Sequence, residues 1–270
     1  MFISLFLSLF ATRIILAELG EQDYGIYVVV GGVVAMLSFL NISMSSSTQR
    51  YLSFSMGKND IVEVRKVFSN SILLHIILGI FLVIFFEVFG RTLILNHLKI
   101  PVDRIQTAEV LFHFVVASTF ISIISVPYDG LINAKENMLF LSFTSILESV
   151  LKVLIALSLL SPFADKLFVF GLLTMVNTFL IRLIKQIYCF RVYKNECKIS
   201  IFGGYNKSVF KELYSFAGWN LIGVMGFVFK TQGITVILNV FFGTVINAAY
   251  GIANQVNSQL IMFTGSMVQS

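Results

Sequence analysis

The chain has 270 residues, 57% of them hydrophobic and 12% charged, with a mean hydropathy of +0.89. A soluble domain carries about 25% charge, 28 Phe are far too many for a disordered chain, and two Cys are too few for a disulfide scaffold. An integral membrane protein remains, and its continuous apolar runs read as helices rather than as the alternating strands of a barrel. A hydrocarbon core of about 30 Å takes roughly 20 residues per helix, so the chain has room for about eight or nine spans and none for a soluble catalytic domain.

In chain order, eight spans are predicted, at residues 2–19, 24–44, 67–89, 108–126, 138–160, 167–190, 213–238 and 245–270. The first ends in a turn at Gly20-Glu21-Gln22-Asp23, and the second dissolves into the polar run Ser45 to Arg50. Pro127-Tyr128-Asp129-Gly130 stops the fourth, and Ser161-Pro162 closes the fifth. A polar connection rich in Lys and Arg follows the sixth, and its last part, Lys207 to Phe216, is amphipathic and predicted to lie along the inner leaflet. The expected fold is therefore an all-α polytopic membrane protein: a six-helix bundle over 1–190, a basic cytoplasmic linker over 191–212, and the first two helices of a second bundle over 213–270.

Twelve Lys and Arg fall in the loops after spans 2, 4 and 6 or, as Arg182 and Lys185 do, in the last turns leading into them; four fall in the loops after spans 1, 3, 5 and 7, and three deeper inside spans. That asymmetry places the even loops and the N-terminus in the cytoplasm. The net charge of +5 is thus a topology signal, and with no basic soluble face a nucleic-acid partner is not expected. The apolar start lacks the basic lead and cleavage site of a signal peptide and reads as a clipped span. Cys189 and Cys197 fall on the reducing side and are expected to be unpaired thiols. No P-loop, Cys-x-x-Cys, His-Glu-x-x-His or nucleophile-elbow motif is present, so no enzyme, metal site or cofactor is expected.

An internal repeat is more specific than hydropathy. Ile15-Leu16, Gly20 and Tyr24-Gly25-Ile26 recur as Ile237-Leu238, Gly243 and Tyr250-Gly251-Ile252, with a gap of two residues. Six spans separate the copies, so both have the same orientation, as in transporters built from parallel repeats. The chain then holds one complete half and the start of another.

The stretch from Arg13-Ile14-Ile15-Leu16 through Leu19-Gly20-Glu21-Gln22-Asp23-Tyr24-Gly25-Ile26-Tyr27 to the Gly31-Gly32 pair resembles the first hairpin of polysaccharide (O-antigen) flippases. So does the later stretch with Gly218-Trp219-Asn220, Gly233, Ile237-Leu238-Asn239, Phe241-Phe242-Gly243 and Asn247-Ala248-Ala249-Tyr250-Gly251-Ile252-Ala253. Both look like members of the multidrug, oligosaccharidyl-lipid and polysaccharide exporter superfamily. The resemblance implies two bundles of six or more helices, alternating access in the bacterial inner membrane, and undecaprenyl-pyrophosphate-linked glycan as cargo. Beside it the chain reads as a fragment truncated at both ends.

Such a transporter needs cations for the pyrophosphate, and ionisable groups inside spans are expensive enough to be functional candidates. Arg13, about two turns from the outer end of span 1, suits bidentate phosphate binding or snorkels to the interface. Lys230 occupies a comparable place in the second repeat, facing the cavity. Glu148 and Lys152, at i and i+4, either neutralise one another or serve separately, Glu148 titrating with transport and Lys152 attracting the head group. Arg50 either captures pyrophosphate at the inner mouth or anchors span 2. Trp219, Asn220 and Asn239 are the candidates for stacking on and hydrogen-bonding a sugar, with Trp219 alternatively a belt residue. Gly218, Gly223, Gly226 and Gly233 would let span 7 bend. His75 and His113 read as structural. The rival readings are an ion-coupled multidrug or metabolite exporter using H+ or Na+ at Glu148, an inactive fragment, and a glycan polymerase. For the last, the outer loop from Gly90 to Thr107 is too short.

Overall fold

The computed structural model describes residues 2–35, 38–90, 92, 94, 98–197 and 207–268, and among these no strand occurs. The helices are α1 (Phe2–Ala35), α2 (Ser38–Gly57), α3 (Ile61–Phe85), α4 (Ile105–Ala134), α5 (Met138–Ser158), α6 (Lys166–Val192), α7 (Lys207–Phe242) and α8 (Thr244–Val268). A π-turn over Phe86–Gly90 ends α3, and a 3₁₀ turn over Val102–Arg104 leads into α4. Side-chain caps set three starts: Asp60 accepts from the Val62 and Glu63 N–H groups, Asn137 from Phe140, and Asp165 from Phe168.

Six helices among the described residues are long and apolar enough to cross a membrane: Ile3–Ala35, Ile61–Gly90, Val102–Ala134, Met138–Ser158, Lys166–Val192 and Gly218–Phe242. A count of eight is not confirmed among the described residues, and two features account for the difference. Asn247, Asn254, Gln255 and Asn257 dilute the apolar character of α8, and the first two predicted spans belong to one element that turns at Gly20, where φ is 74° and ψ 171°. The turn is a reversal. Ser8 and Tyr24 would stand about 24 Å apart on a straight helix, yet the single side chain of Gln255 bonds to both. Gly20 and Gly243, the two turn positions of the sequence repeat, are the glycines with positive φ (74° and 84°) among the described residues. Only a residue without Cβ takes that conformation at no steric cost.

Three boundaries differ from expectation. Pro127 does not stop α4, which runs seven residues further; helix interiors in membranes tolerate proline where neighbours satisfy the freed backbone. The run Ser45 to Arg50 is helical within α2, with Ser47 and Thr48 turned inward: Thr48 Oγ1 and Ser71 Oγ lie 2.7 Å apart, and both residues are buried. Lys207 to Phe216 forms the first turns of α7 rather than a separate surface segment. Within the predicted linker, 198–206 lies outside the described residues.

The arms of α1 pack against α8, α5, α4 and α7, while α4 packs on α6, α3 and α2. Ala11, Ile15, Ile26, Val29, Val30, Leu111, Phe112 and Leu159 form the main core. Leu139, Phe6 and Phe10 point outward at 88%, 70% and 54% exposure, as lipid-facing side chains do.

Ion pairs staple both ends of this bundle. At the Gly20 end Arg104 meets Asp23 at 2.9 Å and Asp165 at 3.6 Å, and Lys166 meets Glu18 at 2.6 Å. At the other end Asp129 takes both Arg182 (2.6 Å) and Lys185 (2.9 Å), and Lys135 meets Glu196 at 2.6 Å. Arg182 and Lys185, counted above as loop cations, lie inside α6 and are neutralised there. His113 pairs with Glu87 at 3.0 Å. Buried His75 donates from Nδ1 to Ser71 O (2.7 Å), while its Nε2 has no partner among the described residues.

Two glycines set how closely α1 and α8 approach. A Cβ on Gly25 would fall on the Thr244 carbonyl, and one on Gly251 would lie 2.5 Å from Val28 Cγ2. Gly25→Ala should therefore destabilise the protein by about 3 kcal/mol, Gly251→Ala by less because a side chain can yield, and Gly31→Ala, with open space around it, hardly at all; thermal unfolding in detergent measures the order. Asp129→Asn should cost about 2 kcal/mol in the same assay by leaving Arg182 and Lys185 short of a carboxylate.

Candidate functional site

Between the two arms of α1, α5 and α6 lies a cavity of about 360 Å³. Its wall is hydroxyl-rich: Ser4 and Ser8 from the first arm, Tyr27 from the second, Ser145 and Ser149 from α5, Thr174 and Thr178 from α6. Glu148, Lys152 and Asn177 complete the polar lining, and Ile155 and Phe170 the apolar part. Tyr27, Thr174 and Thr178 also border a second cavity of about 340 Å³ that reaches Leu82, Phe86 and Leu111 and is mostly apolar. Tyr27 is held edge-on to Phe170, ring centroids 4.9 Å apart.

The i,i+4 spacing does bring Glu148 and Lys152 to one cavity, yet they do not form an ion pair. Lys152 instead donates from Nζ to Ser8 Oγ at 3.3 Å. A half-buried ammonium whose described contact is a neutral hydroxyl is a poorly compensated charge. Ser4 Oγ and Asn177 Oδ1 are buried on the same wall without a hydrogen-bond partner among the described residues. Buried polar atoms of that kind are met by water or by a ligand.

A second feature adjoins the first across one turn of α1. A groove of about 310 Å³ runs between the first arm and α8, lined by Leu9, Thr12, Arg13, Leu16, Ile252, Gln255 and Val256. Gln255 spans it, donating from Nε2 to Thr12 Oγ1 (2.6 Å) and Ser8 Oγ (3.3 Å) and accepting from Tyr24 OH (3.4 Å).

The other sequence candidates lie elsewhere. Arg13 is exposed on the groove rather than in the cavity, and Lys230 is exposed on α7. Arg50 sits over the Phe216 ring at 4.5 Å, joining α2 to α7. Trp219 is 76% exposed, and Asn220 beside it is half-buried. Asn239 is buried with its Oδ1 accepting from the Lys99 backbone N–H at 2.9 Å, so that amide oxygen fastens a loop. Ser8, Tyr27, Thr174, Asn177, Thr178 and Gln255 were not singled out from sequence. The i,i+4 pairs Ser8/Thr12 and Thr174/Thr178 in apolar helices were the available signal, since polar groups facing one side of a span want a common partner.

Residues 1–157, more than half of the chain, match the MatE family. The fold is similar to that of two solved structures. One is an inward-facing conformation of a multidrug resistance MATE family transporter of the MOP superfamily (TM-score 0.71, 17% identity, 96% of this chain and 59% of that one). The other is an outward-facing conformation of such a transporter (TM-score 0.61, 12% identity, 95% of this chain and 67% of that one). The chain thus spans 59% of the length of the first of these relatives. No curated protein sequence matches it. The all-helical bundle fits these matches, and the chain belongs to the MatE family of multi-pass membrane proteins, which are transporters and not enzymes.

Proposed function

We propose that the chain forms the first bundle and the opening helices of the second in an alternating-access exporter of lipid-linked oligosaccharide, an O-antigen or capsular repeat unit on undecaprenyl pyrophosphate. The domains on this reading are a bundle at 1–190, a linker at 191–212 and the start of the second bundle at 213–270. The setting is the bacterial inner membrane, with the N-terminus cytoplasmic. The observation that carries the reading is Lys152: a cation inside the bundle, bonded to a hydroxyl, with Glu148 on the same cavity wall but in no direct ion pair with it. A charge kept unpaired in a membrane interior calls for an anionic guest. Arg13 on the adjoining groove and Lys230 on α7 add positive charge for the pyrophosphate, Arg50 extends it to the inner mouth, and Trp219, Asn220 and Asn239 supply the sugar contacts.

A second reading has its own observation. Glu148, Asn177 Oδ1 and Ser4 Oγ offer oxygens to one cavity, two of them without hydrogen-bond partners among the described residues. Oxygen acceptors so arranged suit H+ or Na+, as in an ion-coupled multidrug or metabolite exporter.

Proteoliposomes containing the full-length transporter separate the two. With a fluorescent undecaprenyl-pyrophosphate glycan as cargo, Lys152→Met should lower translocation about tenfold or more and Lys152→Arg should retain most of it, as expected for a charge-assisted bond of about 1.5–3 kcal/mol. Glu148→Gln should leave glycan binding intact and abolish any stimulation by an imposed H+ or Na+ gradient. Translocation of a cationic drug that Lys152→Met leaves unchanged, with none of the glycan, would overturn the flippase reading in favour of the second.

A further inference from the structure

Ser8 stands where the cavity and the groove meet. Its Oγ accepts from Lys152 Nζ on the cavity side and from Gln255 Nε2 on the groove side, each at 3.3 Å. Lys152 borders the cavity and not the groove, and Gln255 borders the groove and not the cavity. The remaining bonds around Gln255 leave no slack: Thr12 Oγ1 takes its other amide hydrogen while giving its own hydroxyl proton to Ser8 O at 2.9 Å, and Tyr24 donates to its oxygen. Ser8, Thr12 and Tyr24 are 9%, 7% and 4% exposed, so these hydroxyls are largely shielded from bulk water.

We propose that Ser8 is a shared acceptor through which Lys152, in the cavity of the first bundle, controls the grip of Gln255 on the seam between α1 and α8. The reasoning is electrostatic. Two donors on one hydroxyl oxygen each draw on the same electron density, so each bond weakens the other, unlike a donor–acceptor chain in which bonds reinforce one another. An anion that pulls the Lys152 ammonium off Ser8 leaves that oxygen to Gln255, and the first arm of α1 closes more firmly on α8. Because α8 opens the second repeat, occupancy inside one bundle is converted into a change at the contact between bundles. Coupling of this kind is reciprocal: tightening the Gln255 bond must raise the affinity of the cavity for the anion by the same factor. Ser8, Thr12 and Gln255 are positioning residues on this account, and Lys152 is the group that touches the guest.

The inference rests on the anionic-guest reading for its direction, but two measurements keep the two apart. The first is the affinity of the full-length, detergent-solubilised transporter for inorganic pyrophosphate. Gln255→Met should weaken it about fivefold with serine at position 8 and leave it unchanged in a Ser8→Ala background. Thr12→Val, which loosens the same grip, should act in the same direction and likewise lose its effect with Ser8→Ala. An effect of Gln255→Met that is absent in both backgrounds, or equal in both, overturns the shared acceptor. The second measurement needs no ligand. Thermal stabilities of Lys152→Met, Gln255→Met and the double variant should be non-additive with serine at position 8 and additive with alanine there. Additivity in both backgrounds overturns the proposal. If pyrophosphate does not bind the wild-type protein, the anionic-guest reading fails and the stability cycle alone decides whether Ser8 links the two sites.

Discussion

The close approach of α8 to the second arm of α1 is the contact on which the other features depend. At Gly25 the Thr244 carbonyl occupies the space a side chain would need, and at Gly251 the Val28 side chain does. Without a hydrophobic force between helices in lipid, association rests on van der Waals fit and a few hydrogen bonds, and small residues make that fit possible. Once the backbones are this close, Gln255, about three turns beyond Gly243-Thr244, reaches the hydroxyls of Ser8, Thr12 and Tyr24. The reversal at Gly20 is the companion requirement, since it alone lets residues from both arms of α1 converge on one glutamine.

Charge is distributed by the same economy. Near the helix ends, where water and head groups lower the cost of ionisation, cations and carboxylates are paired: Arg104 with Asp23 and Asp165, Lys166 with Glu18, Arg182 and Lys185 with Asp129. Those pairs tie helix starts and ends together and account for part of what a loop count assigns to topology. Lys152 breaks the pattern, being half-buried, set in the middle of α5 and bonded to a hydroxyl. Stability gives no reason for it, because an apolar residue there would avoid the desolvation penalty.

How much of this could be read beforehand follows from which interactions are local. Gly20 and Gly243 were legible because a turn leaves a local mark and the repeat marks it twice. The facing of Glu148 and Lys152 was legible from helical spacing, whereas their failure to pair was not, since it depends on Ser8 from another helix. Pro127 and the run Ser45 to Arg50 misled for the same reason: each is a helix breaker or polar stretch locally, and each is accommodated by tertiary contacts. Asn239, a sugar candidate by residue type, also holds the Lys99 backbone through its Oδ1, a long-range contact that no local pattern announces. Gln255 left no signal at all, since one amide among several in α8 is distinguished only by what lies opposite.

A wall one helical turn thick therefore separates two compartments of different kind. On one side is a cavity with a half-buried cation and unpartnered oxygens, and on the other a groove between α1 and α8. A rigid partition would isolate them, but Ser8 Oγ accepts from both sides, and strengthening either bond weakens the other. Competition for a single oxygen is short-ranged, needs no movement of the backbone to begin, and is lost if either donor goes. Placed beside a contact as tight as that of Gly25 with Thr244, which tolerates little drift, a change of this size is passed on to the helix rather than absorbed by slack packing.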